Sequence, residues 1–194
     1  MERTIGARSH TRVRAMVECA MLISAYIVLS RIKFFTLPQG GDITPAAGLP
    51  LLLVGYRHGW KWGCISAAAA TLLGILLDGF YPPPAGTFFS FFLCLLLDYF
   101  LAKIAVVSAA GITHLLRKKS TFTVCVSVLV SQLLRFLCVF LSGFLLWAGY
   151  APEGVGPVYY SFTYNGSYCI PEGILTMVVT AALFHTAPRL FSRQ

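Results

Sequence analysis

Acidic residues are scarce in this chain: seven Asp and Glu stand among 194 residues, and charged residues of all kinds make up 11%, against roughly a quarter in an average soluble domain. A surface facing water needs more charge than that, so an ordinary soluble domain is excluded. The patterns of phosphate and metal chemistry are missing too. The six cysteines show no CxxC spacing, and no P-loop, dinucleotide fingerprint or nucleophile elbow is present. The chain by itself is therefore expected neither to hydrolyse ATP nor to catalyse a reaction. There is no internal repeat, and low-complexity sequence is confined to Pro82-Pro83-Pro84.

What remains is apolar. Hydrophobic residues make up 57% of the chain, with 15 Phe and 9 Tyr, and the mean hydropathy is +0.76. A 21.2 kDa globule has no interior large enough to hide them, so most must face lipid. The expected fold is all-α: a polytopic membrane protein with six transmembrane helices, both termini cytoplasmic, forming a single membrane domain over 1–194. The apolar spans read as 13–31, 47–57, 59–78, 87–116, 121–149 and 168–188. They place a basic cytoplasmic N-terminus over 1–12, the six-helix bundle over 13–189 and a cytoplasmic tail over 190–194. The second span falls short of the roughly 20 residues a crossing needs. It is either a tilted helix extended by its flanks or a helix entered from an irregular first loop.

The net charge of +8 raises nucleic acid or anionic lipid as partners, and position decides between them. With the N-terminus inside, Arg3, Arg8, Arg12, Arg14, Arg57, Lys61, Arg117, Lys118, Lys119, Arg189 and Arg193 all fall on the cytoplasmic side, and only Arg31 and Lys33 fall clearly outside. That is the positive-inside pattern of a chain with an even number of crossings. The basicity sets orientation in the lipid bilayer and implies no nucleic-acid binding. A signal peptide over residues 1–31 lacks a small-residue cleavage site followed by a soluble domain. Cys19, Cys64, Cys94, Cys125, Cys138 and Cys169 lie in or at the ends of apolar spans and read as small core residues. His10, His58, His114 and His185 map near cytoplasmic ends, which disfavours a transmembrane metal site.

Ionisable groups inside spans cost several kcal/mol unless they face protein or water, so each is a functional candidate. Asp98, in the outer half of the fourth span, is the first; the competing reading is a structural salt bridge to Arg135 on the fifth. Glu18 pairs with Arg14 one helical turn away, a structural role. Lys103 has room to snorkel to the interface and takes no assigned role. Aromatic residues gather outside: Tyr81, Phe88 and Phe89 at the second outer loop, and Trp147, Tyr150, Tyr159, Tyr160, Tyr164 and Tyr168 at the last. An interfacial belt accounts for part of this. It does not account for Asn165, Ser167 and Glu172 beside the rings. A buried carboxylate near aromatic faces and amides suits a planar cationic heteroaromatic, by stacking, cation–π attraction and hydrogen bonding.

Several separate segments then carry a resemblance: Leu37-Pro38-Gln39-Gly40-Gly41, Asp98-Tyr99, Arg135-Phe136 through Ser142-Gly143 to Trp147, Tyr150-Ala151-Pro152, and Tyr160 through Tyr168 with Pro171-Glu172. From about residue 13 to its end, the chain resembles the thiamine-specific substrate-binding (S) component of energy-coupling factor (ECF) transporters. The resemblance implies six helices and a vitamin site near the outer surface under the first loop. It implies that Trp147 stacks on the ligand and that Tyr160 and Asn165 hydrogen-bond it. Asp98 and Tyr99 stand where the family usually has Glu-Tyr, which shortens the reach of the carboxylate by about 1.5 Å. Val139 stands eight residues before Trp147, where the family commonly has a ligand-contacting histidine. Gln39 is the matching first-loop contact.

The implied activity is high-affinity capture of thiamine from outside a bacterial plasma membrane, with no cofactor. The implied partners are a coupling transmembrane subunit and two cytoplasmic ATPase subunits. Small residues four apart on the first span, Ala15 with Cys19 and Ala20 with Ser24, allow close helix approach; the resemblance implies that this face meets the coupling subunit, and ordinary packing within the bundle is the alternative. Ala67 to Ala70 offers a similar surface. The rival readings are an S component for another heteroaromatic vitamin or a pyrimidine precursor of thiamine, a membrane scaffold, and a small membrane enzyme. The last would need a second acid or base near Asp98, for which only Glu172, Glu153 and tyrosines are available.

Overall fold

The computed structural model describes residues 2–117 and 119–192, with side chains from Arg12 onward. The side chains of Arg3, Arg8 and His10, and residues Lys118 and Arg193, lie outside the described part. Among the described residues, five helices are long and apolar enough to cross a bilayer: α1 (Glu2–Arg31), with its apolar part at Arg12–Arg31, α2 (Leu49–Asp78), α3 (Phe88–Leu115), α4 (Thr121–Leu146) and α5 (Pro157–Thr186). Leu76, Phe88, Leu133 and Val178 stand exposed among many large apolar side chains on the outside, a surface that lipid solvates and water does not. This is an all-α, multi-pass membrane protein.

The second helix is not one rod. Gly59 takes φ 79°, ψ −173° within it, a conformation open to glycine because it lacks Cβ. Leu51 before the break and Ala70 after it pack in one buried cluster on Val107. In a straight helix these two would lie about 28 Å apart, so the arms 49–58 and 60–78 double back on each other. Close packing against α3 depends on two further glycines: a Cβ on Gly55 would meet the Val107 carbonyl at 2.7 Å, and one on Gly63 would collide with Val107 Cγ1. The short first arm is entered from an irregular loop, one of the two alternatives read from the sequence. That loop carries a small antiparallel pair, β1 (Phe35–Thr36) on β2 (Asp42–Ile43), and then sinks inward, with Thr44, Ala46 and Ala47 all buried.

The last helix corrects the sequence reading. The span was expected over 168–188 with the tyrosines in a loop before it; instead α5 starts at Pro157, directly after Gly156. Proline suits a first helical turn because its missing N–H would have no partner there. Tyr160, Tyr164 and Tyr168 are therefore helical, four apart on one face. Pro171 is carried inside the same helix. Capping boxes start α3 and α4, from Thr87 with Ser90 and from Ser120 with Thr123, each satisfying amide donors that a helix start leaves free.

The two ends of the bundle differ. At one, Glu18 accepts from Arg14 Nε (3.1 Å), Arg57 Nη2 (2.8 Å) and His58 Nε2 (3.0 Å), tying α1 to the turn of α2. Near it, Phe191 is fully buried between Tyr56 and Phe184, and Lys119 donates to its carbonyl. The loops over 32–48, 79–87 and 147–156 meet at the other end, where Arg31 pairs with Asp78 at 2.5 Å and Lys33 with Asp42 at 2.8 Å.

Candidate ligand site

A cavity of about 450 Å³ lies at this second end, enclosed by the first loop, α3, α4, α5 and the ends of α1 and α2. That is within the roughly 300–1,000 Å³ of small-molecule sites. Helical periodicity builds its walls. Arg135, Val139, Gly143 and Trp147 face it from α4 and its C-cap, and Tyr160, Tyr164, Tyr168 and Glu172 face it from α5, two runs of strict four-residue spacing on single helix faces. Asp98, Tyr99, Ala102 and Lys103 line the third wall. There α3 widens into a π-helix over Leu95–Leu101, a distortion that often accompanies a functional site.

Asp98 is held by one oxygen. Its Oδ2 accepts from Ser142 Oγ at 2.6 Å, from Trp147 Nε1 at 3.3 Å and from the Cys94 thiol at 3.5 Å. No described hydrogen bond uses Oδ1, so that oxygen is available in the cavity. The competing salt bridge to Arg135 does not form. Arg135 Nη1 instead pairs with Glu172 Oε2 at 2.8 Å, and Glu172 Oε1 accepts from Thr44 Oγ1 at 2.7 Å. This buried triad ties α4 and α5 to the first loop, and it answers the need of Arg135 for a partner.

Trp147 packs against Tyr150, stacked at 6.0 Å and 25°, and against Tyr81, tilted at 5.7 Å and 33°. The Tyr99 hydroxyl accepts from the Tyr81 amide at 3.0 Å, fixing the second outer loop to the same wall. Asn165 is committed on both sides: Nδ2 donates to the Ser161 carbonyl at 2.9 Å, and Oδ1 accepts from Tyr168 at 2.8 Å. Gly143 makes room for this pair, since a Cβ there would stand 2.6 Å from Asn165 Nδ2 and collide with Ser161 Oγ. Val139 is buried with Ala102, Tyr168 and Cys169 in an apolar patch of wall.

The first loop closes over these groups. Tyr164 Oη accepts from the Gln39 amide and donates to the Gly40 carbonyl, both at 2.9 Å, while Tyr81 Oη donates to the Pro38 carbonyl at 3.3 Å. Gly41, at φ +98°, lies so close to Tyr168 that a Cβ would meet its ring at 2.6 Å. Gln39 itself lines the cavity.

All seven residues singled out as ligand contacts thus line one cavity: Asp98, Tyr99, Trp147, Tyr160, Asn165, Gln39 and Val139. The sequence reading passed over Ser142 as a partner of Asp98, Thr44 as a partner of Glu172, Tyr164 as the latch of the loop, and Lys103. The four-residue spacing from Arg135 to Trp147 and from Tyr160 to Glu172 was the available signal. Lys103 does not snorkel away; it lines the cavity. The proposed partner face divides: Ala15 and Cys19 are buried within the bundle, whereas Ala20 and Ser24 are exposed.

Known proteins resemble this chain in sequence and in fold. The family model described as thiamine transporter protein matches residues 16–192. The thiamine transporter ThiT of Bacillus subtilis (strain 168) is 30% identical over 185 residues, covering 90% of this chain and 92% of that protein. ThiT of Lacticaseibacillus paracasei is 31% identical over 64 residues, 33% of this chain and 32% of that one. A solved structure of ThiT from Listeria monocytogenes, 20% identical, superposes with a TM-score of 0.74 over 94% of this chain and 99% of that chain. The last likeness is one of fold.

Proposed function

The chain belongs to the thiamine transporter protein family, and from that premise we propose that it is the thiamine-binding S component of an ECF importer. It captures thiamine with high affinity at the outer face of a bacterial plasma membrane. A coupling transmembrane subunit and two cytoplasmic ATPase subunits drive the vitamin inward. The carrying observation is the Asp98 carboxylate in contact with the Trp147 indole in a cavity roofed by the Gln39 loop. A thiazolium ring stacks on Trp147 and Tyr81, where its charge is attracted by the aromatic faces. The free Oδ1 of Asp98 accepts from the aminopyrimidine, and the Tyr160 hydroxyl together with the second lone pair of Asn165 Oδ1 completes the hydrogen bonds.

Charge distribution supports the orientation. Arg12, Arg14, Arg57, Lys61, Arg117, Lys119 and Arg189 lie toward the end opposite the cavity, and Arg31 and Lys33 beside it are both ion-paired. With the basic end inside, the cavity opens outward. The broken α2 then supplies two crossings, the first completed by buried loop backbone, which a membrane tolerates where it lines a protein cavity. Six crossings follow, with both termini cytoplasmic.

Thiamine titration of the purified protein, read by tryptophan fluorescence and by calorimetry, tests this reading. Saturable quenching is expected. Asp98→Asn and Trp147→Ala should each weaken binding about a hundredfold, since each removes a desolvated partner of the cation. Undiminished affinity in both variants would refute the site. Displacement of thiamine by hydroxymethylpyrimidine at equal concentration would favour a pyrimidine-precursor receptor, a reading to which the apolar Val139 wall lends its weight.

A further inference from the structure

Carboxylates are shared unequally between the two ends of the bundle. Asp42, Asp78, Asp98, Glu153 and Glu172 all lie toward the cavity end, so among the described side chains Glu18 alone answers the cations of the basic end. Arg57 gives Glu18 Oε2 both its Nε (3.0 Å) and its Nη2 (2.8 Å), Arg14 gives Oε1 its Nε (3.1 Å), and His58 Nε2 also meets Oε2. Two guanidiniums on one carboxylate leave positive charge in excess. Arg57 Nη1 and both Nη atoms of Arg14 have no described hydrogen bond. The two side chains are 14% and 67% exposed, so one is fixed in the turn and the other reaches outward. Lys61, exposed two residues past Gly59, adds a further charge without a described acidic partner.

The surface below these cations is apolar. Arg14, Met21 and Val28 follow one another at intervals of seven along α1, and Lys61, Ile65 and Leu72 share one face of the second arm of α2. The four apolar side chains are all exposed. Met21 lies about 10 Å further along its helix than Arg14, and Leu72 about 16 Å further than Lys61. Each cation thus heads an apolar lane. Trp60, exposed at the turn between the arms, has the amphipathic ring that settles at the depth of glycerol and headgroup. An acidic peptide in water would answer the charge and not reach the lanes, whereas a lipid meets both. We propose that Arg14, Arg57 and Lys61 hold the phosphate of an anionic phospholipid of the phosphatidylglycerol class, with Trp60 beside its glycerol and its acyl chains along the two lanes. Guanidiniums suit a phosphate diester because their paired N–H groups meet its two free oxygens. With the basic end inside, the cluster faces the cytoplasmic leaflet, where basic pockets between transmembrane helices bind such headgroups. The site lies at the end of the bundle away from the cavity and is independent of what the cavity takes.

Native mass spectrometry of the purified protein, titrated with phosphatidylglycerol and with phosphatidylcholine of identical chains, tests this. Wild-type protein should bind one phosphatidylglycerol roughly twentyfold more tightly than phosphatidylcholine. Arg14→Gln and Lys61→Gln should each lower that ratio by about fivefold, the effect of one basic residue near an anionic headgroup, and the double variant should show no preference. Arg117→Gln, at the same end but outside the cluster, should leave the ratio within about twofold of wild type. Inorganic phosphate in excess should not displace the lipid, because it has nothing to lay along the lanes. A second reading needs no charge variant: phosphatidylglycerol with brominated chains should quench indole fluorescence more than brominated phosphatidylcholine does, and Trp60→Phe should remove most of that difference. Equal affinity of wild-type protein for the two lipids would overturn the inference and leave the face to an acidic protein partner. A loss in Arg117→Gln as large as that in Arg14→Gln would overturn it in favour of diffuse attraction, and displacement by inorganic phosphate in favour of a free-anion site. Equal quenching by the two brominated lipids would overturn it as well.

Discussion

Tyr164 does two jobs that one hydroxyl group makes possible. Its ring lines the ligand cavity, and its oxygen both accepts from the Gln39 amide and donates to the Gly40 carbonyl. The loop backbone is thereby fastened to α5 by two bonds, which under the proposed function would break before thiamine leaves. Each is worth about 1 kcal/mol net, so Tyr164→Phe should speed thiamine dissociation by roughly tenfold while changing association less, as loop latches act mainly on the off-rate. Stopped-flow fluorescence measures both; an unaltered dissociation rate would remove the latch. Asp98 was readable from the sequence, because a carboxylate in an apolar run is costly wherever the chain puts it. Ser142 was not, since nothing in a serine four residues from a helix end announces which side chain across the bundle it will meet. The same holds for Glu172, read as a neighbour of the tyrosines, whose partners Arg135 and Thr44 come from distant segments.

Elements are placed by close approach as much as by apolar periodicity. The hairpin of α2 rests on Val107 through Gly55 and Gly63, and helices without a hydrophobic drive between them gain most from such small-residue contacts. Gly63→Ala forces overpacking against Val107, which typically costs about 1–3 kcal/mol. It should lower the thermal midpoint of the detergent-solubilised protein, and Val107→Ala in the same chain should recover most of the loss. Additive destabilisation in the double variant would show that the two do not touch. Element existence followed from hydropathy, and the hairpin break between the second and third spans was legible in the turn-prone sequence near Gly59. The start of α5 was missed because its polar and aromatic first turns face a cavity, so they do not look like a lipid-facing helix. Apolar runs mark contact with lipid, and a wall of a binding site has no such run.

At the scale of the molecule, the two ends are held by different contacts. Glu18 with Arg14, Arg57 and His58 locks α1 to α2 at the basic end, while the cavity end is closed by hydrogen bonds to a glycine-rich loop. The outward face of α1 carries Val13, Met16, Val17, Ala20, Met21, Ser24 and Val28, all exposed. Ala20 and Ser24 form a shallow trough in this ridge, and it is here that the proposed coupling subunit would approach. Ala20→Trp fills the trough and should cut thiamine uptake by cells that supply the coupling and ATPase subunits at least about tenfold, since overpacked helix contacts are lost. Normal uptake by that variant would move the partner face elsewhere. The sequence alone determined that the chain is helical, resides in a membrane and carries its basic end opposite its aromatic end, because hydropathy and charge act locally on each segment. It also marked Asp98 and Trp147 as residues with a purpose. Only the tertiary structure decided that Arg135 belongs to Glu172, that Ala15 and Cys19 are turned inward, and that Lys103 shares the cavity with Asp98. Those are matters of which helix faces meet, and helix faces are chosen by the packing of the whole bundle.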